Sequence, residues 1–173
     1  MSDLSDRVRQ QWSGLQQLAS KIPGFSGYMQ RESRRDADKL LRETLARRFE
    51  EQWRRLPDVQ RQLMAAGLID LVDDLESAVM KLQGIIDQLR TASYGFSGFF
   101  DAIKVNEPEL DRIYAYDNQL ADNAGRVQAA IDSLGAAISS KEGVAAAISN
   151  LNTICRETTD ALARRRDVLV GTL

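Results

Sequence analysis

Residues 68–92 carry the most regular pattern in the chain, LIDLVDDLESAVMKLQGIIDQLRTA. Leucine recurs in this stretch every seven residues, at Leu68, Leu75, Leu82 and Leu89. A seven-residue apolar repeat with further apolar residues between its members is typical of a helix that packs in a bundle. The spacing predicts one helix over about 59–92, with coiled-coil-like packing and with Leu75 and Leu82 buried in the main core.

Four further segments carry apolar residues three or four positions apart, the spacing that places them on one face of a helix. They cover about 4–22, 30–56, 108–138 and 144–169. Pro57 ends the second segment, and Asp58 is the expected N-cap of the next helix. Strand-like alternation is almost absent. The sequence therefore predicts an all-α fold, an antiparallel up-down bundle of four to five long helices in a single domain over residues 1–173.

The composition narrows the classes of function. The 173 residues include no His, which removes the commonest general base and the commonest metal ligand. The chain has no glycine-rich phosphate loop, and no nucleophile can pair with a histidine. We therefore expect a non-enzymatic protein without a cofactor. The net charge of −2 gives no reason to expect a nucleic-acid partner.

The single cysteine bears on the compartment. Cys155 cannot form an internal disulfide and lies on the apolar face of the last predicted helix, where it is expected to be a small buried hydrophobe. This use of cysteine indicates a reducing compartment, so a cytoplasmic location is expected. No apolar run reaches the roughly 18–20 residues of a membrane span, and the N-terminus lacks the apolar core of a signal peptide.

A Gly-Phe-Ser-Gly tetrapeptide occurs twice, at 24–27 and 95–98. In an up-down bundle both loops close the same end, because two helices separate them. Six aromatic residues would then cluster at that end: Phe25, Tyr28, Tyr94, Phe96, Phe99 and Phe100. They form either a plug that seals the bundle or a surface that docks a protein partner. Peripheral contact with a membrane is the least favoured interpretation.

A basic run opens the second predicted helix. Arg31, Arg34 and Arg35 lie near the helix start, where an anion could bind. An anion-binding or small-ligand bundle is therefore the alternative function. The competing interpretation is a salt-bridged face, because residues 31–57 hold nine basic and six acidic side chains, whereas residues 58–100 hold three and six.

Asp117 occupies an apolar seam position between Ile113 and Leu120. An ionised carboxylate at such a position needs a partner. We expect a buried ion pair with a basic residue of the second helix, one of Arg34, Arg35 or Lys39. A metal site formed by Asp117 and Asp111 is a third and less favoured hypothesis.

The two glycine-rich segments also carry a resemblance. Pro23-Gly24-Phe25-Ser26-Gly27-Tyr28, followed by Arg31-Glu32, Arg34-Arg35 and Ala37-Asp38-Lys39, resembles a signature in uncharacterised prokaryotic helical proteins. The segment YGFSGFF at 94–100 is similar to part of the same pattern. The resemblance implies no activity. The sequence thus predicts a protein-interaction or scaffold bundle that docks through its aromatic loops or self-associates.

Overall fold

The computed structural model describes residues 16–22, 34–91 and 108–171, together with residues 6 and 14. Its helices are α1 (Arg34–Trp53), α2 (Leu56–Ala65), α3 (Val72–Thr91), α4 (Pro108–Ser140) and α5 (Val144–Gly171), and a 3-10 turn covers Ile69–Leu71. These ranges contain no strand, so the predicted all-α bundle is confirmed. None of the described helices combines the length and the hydropathy that a membrane crossing requires.

Two helical hairpins build the bundle. In the first, α1 and α2 run antiparallel to α3, because Arg42 bonds to the Leu89 carbonyl while Gln60, further along the chain, bonds to Glu76 near the start of α3. In the second, α4 runs antiparallel to α5, which brings Asp117 to Arg165. Consecutive long helices within each hairpin therefore alternate in direction, as an up-down bundle requires.

The hairpins meet through helices that run in the same direction. Helix α1 lies beside α4, and α3 lies beside α5. Asn152 of α5 bonds to the Asp74 carbonyl near the start of α3, and Arg165 approaches Leu89 near the end of α3. We call the end where α1 and α4 begin the lower end, and the opposite end, with the turns at 66–71 and 141–143, the upper end.

The helix predicted over 59–92 is interrupted, and this part of the prediction was wrong. Helix α2 ends at Ala65, and Gly67 has a φ of 77°. The amide of Gly67 donates to the Met64 carbonyl and that of Leu68 donates to the Leu63 carbonyl, the two bonds of a Schellman ending. Glycine adopts this left-handed conformation without steric cost, so the chain turns there and the leucine repeat continues in α3.

The break before α2 is close to the predicted one. Helix α1 ends at Trp53, and Pro57 lies in the first turn of α2, where its missing N–H costs no helical bond. The expected N-cap was wrong, because Arg55 occupies that position. Asp58 lies in the first turn and accepts hydrogen bonds from Arg61 and Gln62 instead.

The core follows the apolar faces of all four long helices. Leu75 and Leu82 are fully buried, as the heptad pattern predicts, and Phe49 is the largest fully buried side chain. The segment 16–22 lies against α4, where it buries Leu18 and places Lys21 within 2.9 Å of an Asp122 carboxylate oxygen.

Candidate functional site

Most of the predicted docking residues lie outside the described ranges. This holds for the whole aromatic group: Phe25, Tyr28, Tyr94, Phe96, Phe99 and Phe100. Arg31 lies outside them too, and Arg34 and Arg35 begin α1 with side chains that are not described. The clustering of these residues at one end therefore stays a prediction.

Asp117 is buried, with 2% of its surface exposed, and it forms an ion pair. The partner in the structure is Arg165 of α5, which was not among the expected bases, and its Nε donates to Asp117 Oδ1 at 2.6 Å. Nη2 of the same guanidinium donates to Oδ1 of Asp38, so the second predicted helix places an acid beside this pair. Because the side chains of Arg34 and Arg35 are not described, an additional pairing with either of them stays a prediction. The register of α4 against α5 places Arg165, itself only 3% exposed, at this position.

A second arginine extends the pair into a chain of four charges. Arg42 donates from Nε to Asp38 Oδ2 at 2.8 Å and from Nη1 to the Leu89 carbonyl at 3.0 Å. We call Asp38, Arg42, Asp117 and Arg165 the ionic chain. It touches α1, α3, α4 and α5, and its two positive charges balance its two negative ones. Such a chain fixes the relative position of the four helices, because a charge displaced from it would be buried without a partner.

The electrostatics of the ionic chain are dominated by burial. Burial raises the pKa of Asp117, the attraction of Arg165 opposes this rise, and the nearby Asp38 carboxylate adds to it. The resulting pKa is about 6. Burial disfavours the charge on Arg165, yet Asp117 and Asp38 together hold its pKa above the usual value. Arg165 therefore stays charged while Asp117 is the group that can take up a proton.

The sequence contains a signal that points to Arg165. The apolar seam of α5 runs through Thr158 and Leu162 and resumes at Leu169, a gap of seven residues. Arg165 fills the gap at the same helical spacing, as Asp117 does in α4. Two seam charges of opposite sign in neighbouring helices indicate a buried pair, although only their register shows that they meet.

The metal site predicted in the interior gains no support from the described residues, whereas the single cysteine is buried as the sequence predicts. No group of three or more potential ligands among the described residues is arranged to hold a metal ion, and Arg165 already occupies Asp117. Cys155 is fully buried, and burial raises the pKa of its thiol to about 12, which keeps the thiol protonated. The acidic residues at the start of α3 are exposed to water: Asp73, Asp74 and Glu76.

A crevice of about 130 Å³ opens beside the ionic chain at the lower end. Leucines of α3 and α5 contribute to its lining, together with three arginines: Arg42, Arg165 and Arg166. Arg166 is exposed and makes no ion pair with any described residue. Among the described residues, the crevice therefore combines an apolar lining with one positive charge that has no acidic partner.

The upper end has the opposite character. Four large apolar side chains are exposed among the described residues: Met64 (51%), Ile69 (68%), Met80 (68%) and Val170 (52%). The first three belong to α2, the 3-10 turn and α3. Val170 lies near the end of α5, at the lower end.

A side-chain hydrogen bond joins the outer faces of α2 and α3. Gln60 donates from Nε2 to Glu76 Oε2 at 2.7 Å. Met64 follows Gln60 by one helical turn and Met80 follows Glu76 by one turn, so the two methionines flank this bond. We call the surface formed by Gln60, Met64, Ile69, Glu76 and Met80 the α2–α3 corner.

Comparisons of the chain with protein-family models, with curated proteins and with solved structures give no match. We therefore infer the function from the geometry of the described residues, above all from the ionic chain and the α2–α3 corner.

Proposed function

We propose that the protein is a non-enzymatic protein-interaction module, a packed helical bundle that presents the α2–α3 corner to a protein partner. The exposure of Met64, Ile69 and Met80 at this corner is the observation that carries the proposal. Large apolar side chains that are grouped on one surface, rather than scattered singly, are typical of interaction sites.

The energetics favour a partner at the corner. Burying an aliphatic side chain of this size contributes about 1.5–3 kcal/mol, and the corner holds three that folding leaves partly or largely in water. Methionine also adapts its shape to different surfaces, because its side chain is unbranched and flexible. The three side chains could thus supply a substantial part of the affinity for a partner.

The ionic chain supports this function indirectly. It connects all four long helices in the lower half of the bundle, and the proposed docking surface lies outside this region. The proposal places the module in the cytoplasm, consistent with a single buried thiol. Docking through the aromatic loops remains a separate hypothesis. The helix ends that flank residues 92–107 lie at the lower end, far from the α2–α3 corner.

Site-specific cross-linking tests the proposal. A photoreactive phenylalanine analogue replaces Ile69 or Met80 in the full chain, and a matched control carries it at Val170, which is exposed but lies at the lower end. We expect irradiation of the native cells to give the same discrete adduct from positions 69 and 80 and not from position 170. Indistinguishable adduct patterns from all three positions would count against docking at the corner.

An anion-binding function is the second candidate, favoured by the lower crevice and by Arg166, which pairs with no acid in the part of the chain that the structure describes. The leucines and arginines of the lining, and the volume of about 130 Å³, suit a small aliphatic carboxylate better than a large polar ligand. Its test is a titration with butyrate and with inorganic phosphate, followed by NMR. Arg166→Ala should abolish saturable shifts, and Arg164→Ala, an exposed neighbour outside the crevice lining, should leave them unchanged.

A further inference from the structure

We infer that the segment that docks on the α2–α3 corner is a basic amphipathic helix. The inference rests on the function proposed above and adds the chemical class of the partner. It follows from the charge around the corner and from the positions of the exposed apolar side chains on α2, on α3 and in the turn between them.

The rim of the corner is acidic and largely uncompensated. Asp70, Asp73 and Asp74 are exposed and form no ion pair with described residues, and Glu76 accepts only the amide of Gln60. Arg61, the one basic residue of α2, pairs with Asp58 within its own helix. A partner that supplies Lys or Arg would therefore meet several carboxylates that lack a basic partner.

Helix stability explains why these acids lie at the start of α3, but it does not explain why the neighbouring apolar residues are exposed. Acidic side chains in the first turn stabilise a helix through its dipole, which accounts for Asp73 and Asp74 at the start of α3. The dipole gives no reason for Ile69 and Met80 to remain exposed beside them. The coincidence of apolar and acidic surface is the feature that points to a partner.

The geometry fits a helix rather than an extended strand. Met64 lies on α2, Met80 lies on the antiparallel α3, and Ile69 lies in the turn that joins the two helices. A helix presents apolar side chains at i, i+3, i+4 and i+7, a spacing that can reach all three, and its flanking basic residues would face the acidic rim. An extended strand would need an open sheet edge, and the described residues contain no sheet.

Two synthetic probes test the inference on the full chain. One is a 15-residue amphipathic helix of Leu and Lys, and the other has Glu at every Lys position. Fluorescence anisotropy should show the Leu/Lys peptide binding at least about tenfold more tightly than the Leu/Glu peptide, with affinity that falls as salt rises. Equal binding of both peptides, or a preference for the Leu/Glu peptide, would overturn the inference.

Surface variants locate the binding. Ile69→Ser/Met80→Ser should weaken the Leu/Lys peptide about tenfold without changing the melting temperature, whereas Val170→Ser should leave the affinity unchanged. Asp73→Asn/Asp74→Asn should weaken it about threefold and flatten its salt dependence, with the exposed Asp160→Asn as the matched control. Equal affinity for the wild type and both double variants would show that the peptide binds elsewhere, and would overturn the inference.

The outcomes separate this inference from the proposed function. Discrete cross-links from positions 69 and 80 without a preference for the basic peptide would refute the basic helix alone. Absence of those cross-links would refute the proposed docking even if the peptide binds. Sedimentation of a dimer that Ile69→Ser/Met80→Ser dissociates would assign the corner to a second copy of the chain, and would also overturn the inference.

Discussion

The lower half of the bundle buries charge, whereas the upper end exposes apolar surface. In the ionic chain, Arg165 and Asp117 are almost completely removed from water and each has a partner of opposite sign. At the α2–α3 corner, Ile69 and Met80 stay in water beside acids that form no ion pair with any described residue. The difference predicts which property of the protein a substitution in each region changes. A change in the first region alters the folding energy, and a change in the second alters what the folded protein can bind.

The largest effect is expected from breaking the ionic chain at its centre. Arg165→Met leaves Asp117 and Asp38 without their shared guanidinium, so we expect a loss of about 3–5 kcal/mol in the free energy of unfolding. Urea denaturation measures it, with the exposed Arg164→Met as the control, expected within about 0.5 kcal/mol of the wild type. A loss below 1 kcal/mol would mean that the buried charges are not held as a unit.

The second-largest loss of stability is expected from shortening a side chain of the core. Leu82→Ala in α3 should cost about 2–5 kcal/mol, because it removes buried methyl groups and leaves a cavity. Met80→Ala, two residues earlier on the exposed face, should cost far less. Both are measured by the same denaturation. Similar losses in the two variants would show that the inner and outer faces of α3 are misassigned.

The pH dependence of stability sharpens the account of Asp117. Its pKa is raised to about 6 in the folded protein, so the folded state binds more protons than the unfolded state between about pH 4 and 6. The resulting stabilisation is fully present below pH 4 and is lost as pH rises through 6. The free energy of unfolding of the wild type, taken relative to that of Asp117→Asn, should therefore fall by about 1–3 kcal/mol as the pH rises through this window.

Denaturation of both proteins at several pH values measures this difference. Parallel stability curves for the wild type and Asp117→Asn would show that the carboxyl does not titrate differently in the two states.

The smallest effect on stability is expected at the corner. Ile69→Ser/Met80→Ser should change the free energy of unfolding by no more than about 0.5 kcal/mol for each exposed site, and should remove binding to the Leu/Lys peptide. Calorimetry and anisotropy on the same sample compare the two properties. A marked fall in melting temperature would indicate that these side chains support the fold, and the contrast between the two regions would fail.

The sequence predicted the core of α3 well and its beginning poorly. Leu75 and Leu82 could be placed because burial of a helix face depends on a local repeat. The turn at Gly67 was missed because the leucine at position 68 continues the same heptad spacing across it. The Ala65-Ala66-Gly67 sequence holds the helix-ending signal, but a long apolar repeat outweighed one glycine.

The sequence by itself determined the helical class, the buried faces and the need of Asp117 for a partner, because these depend on spacing within one or two helical turns. Only the tertiary structure decided that Arg165 is the partner of Asp117, that Asp38 shares the same guanidinium, and that α1 lies beside α4. Ion-pair partners depend on the direction and register of separate helices. Those are fixed jointly by every packed face of the bundle, and no single segment encodes them.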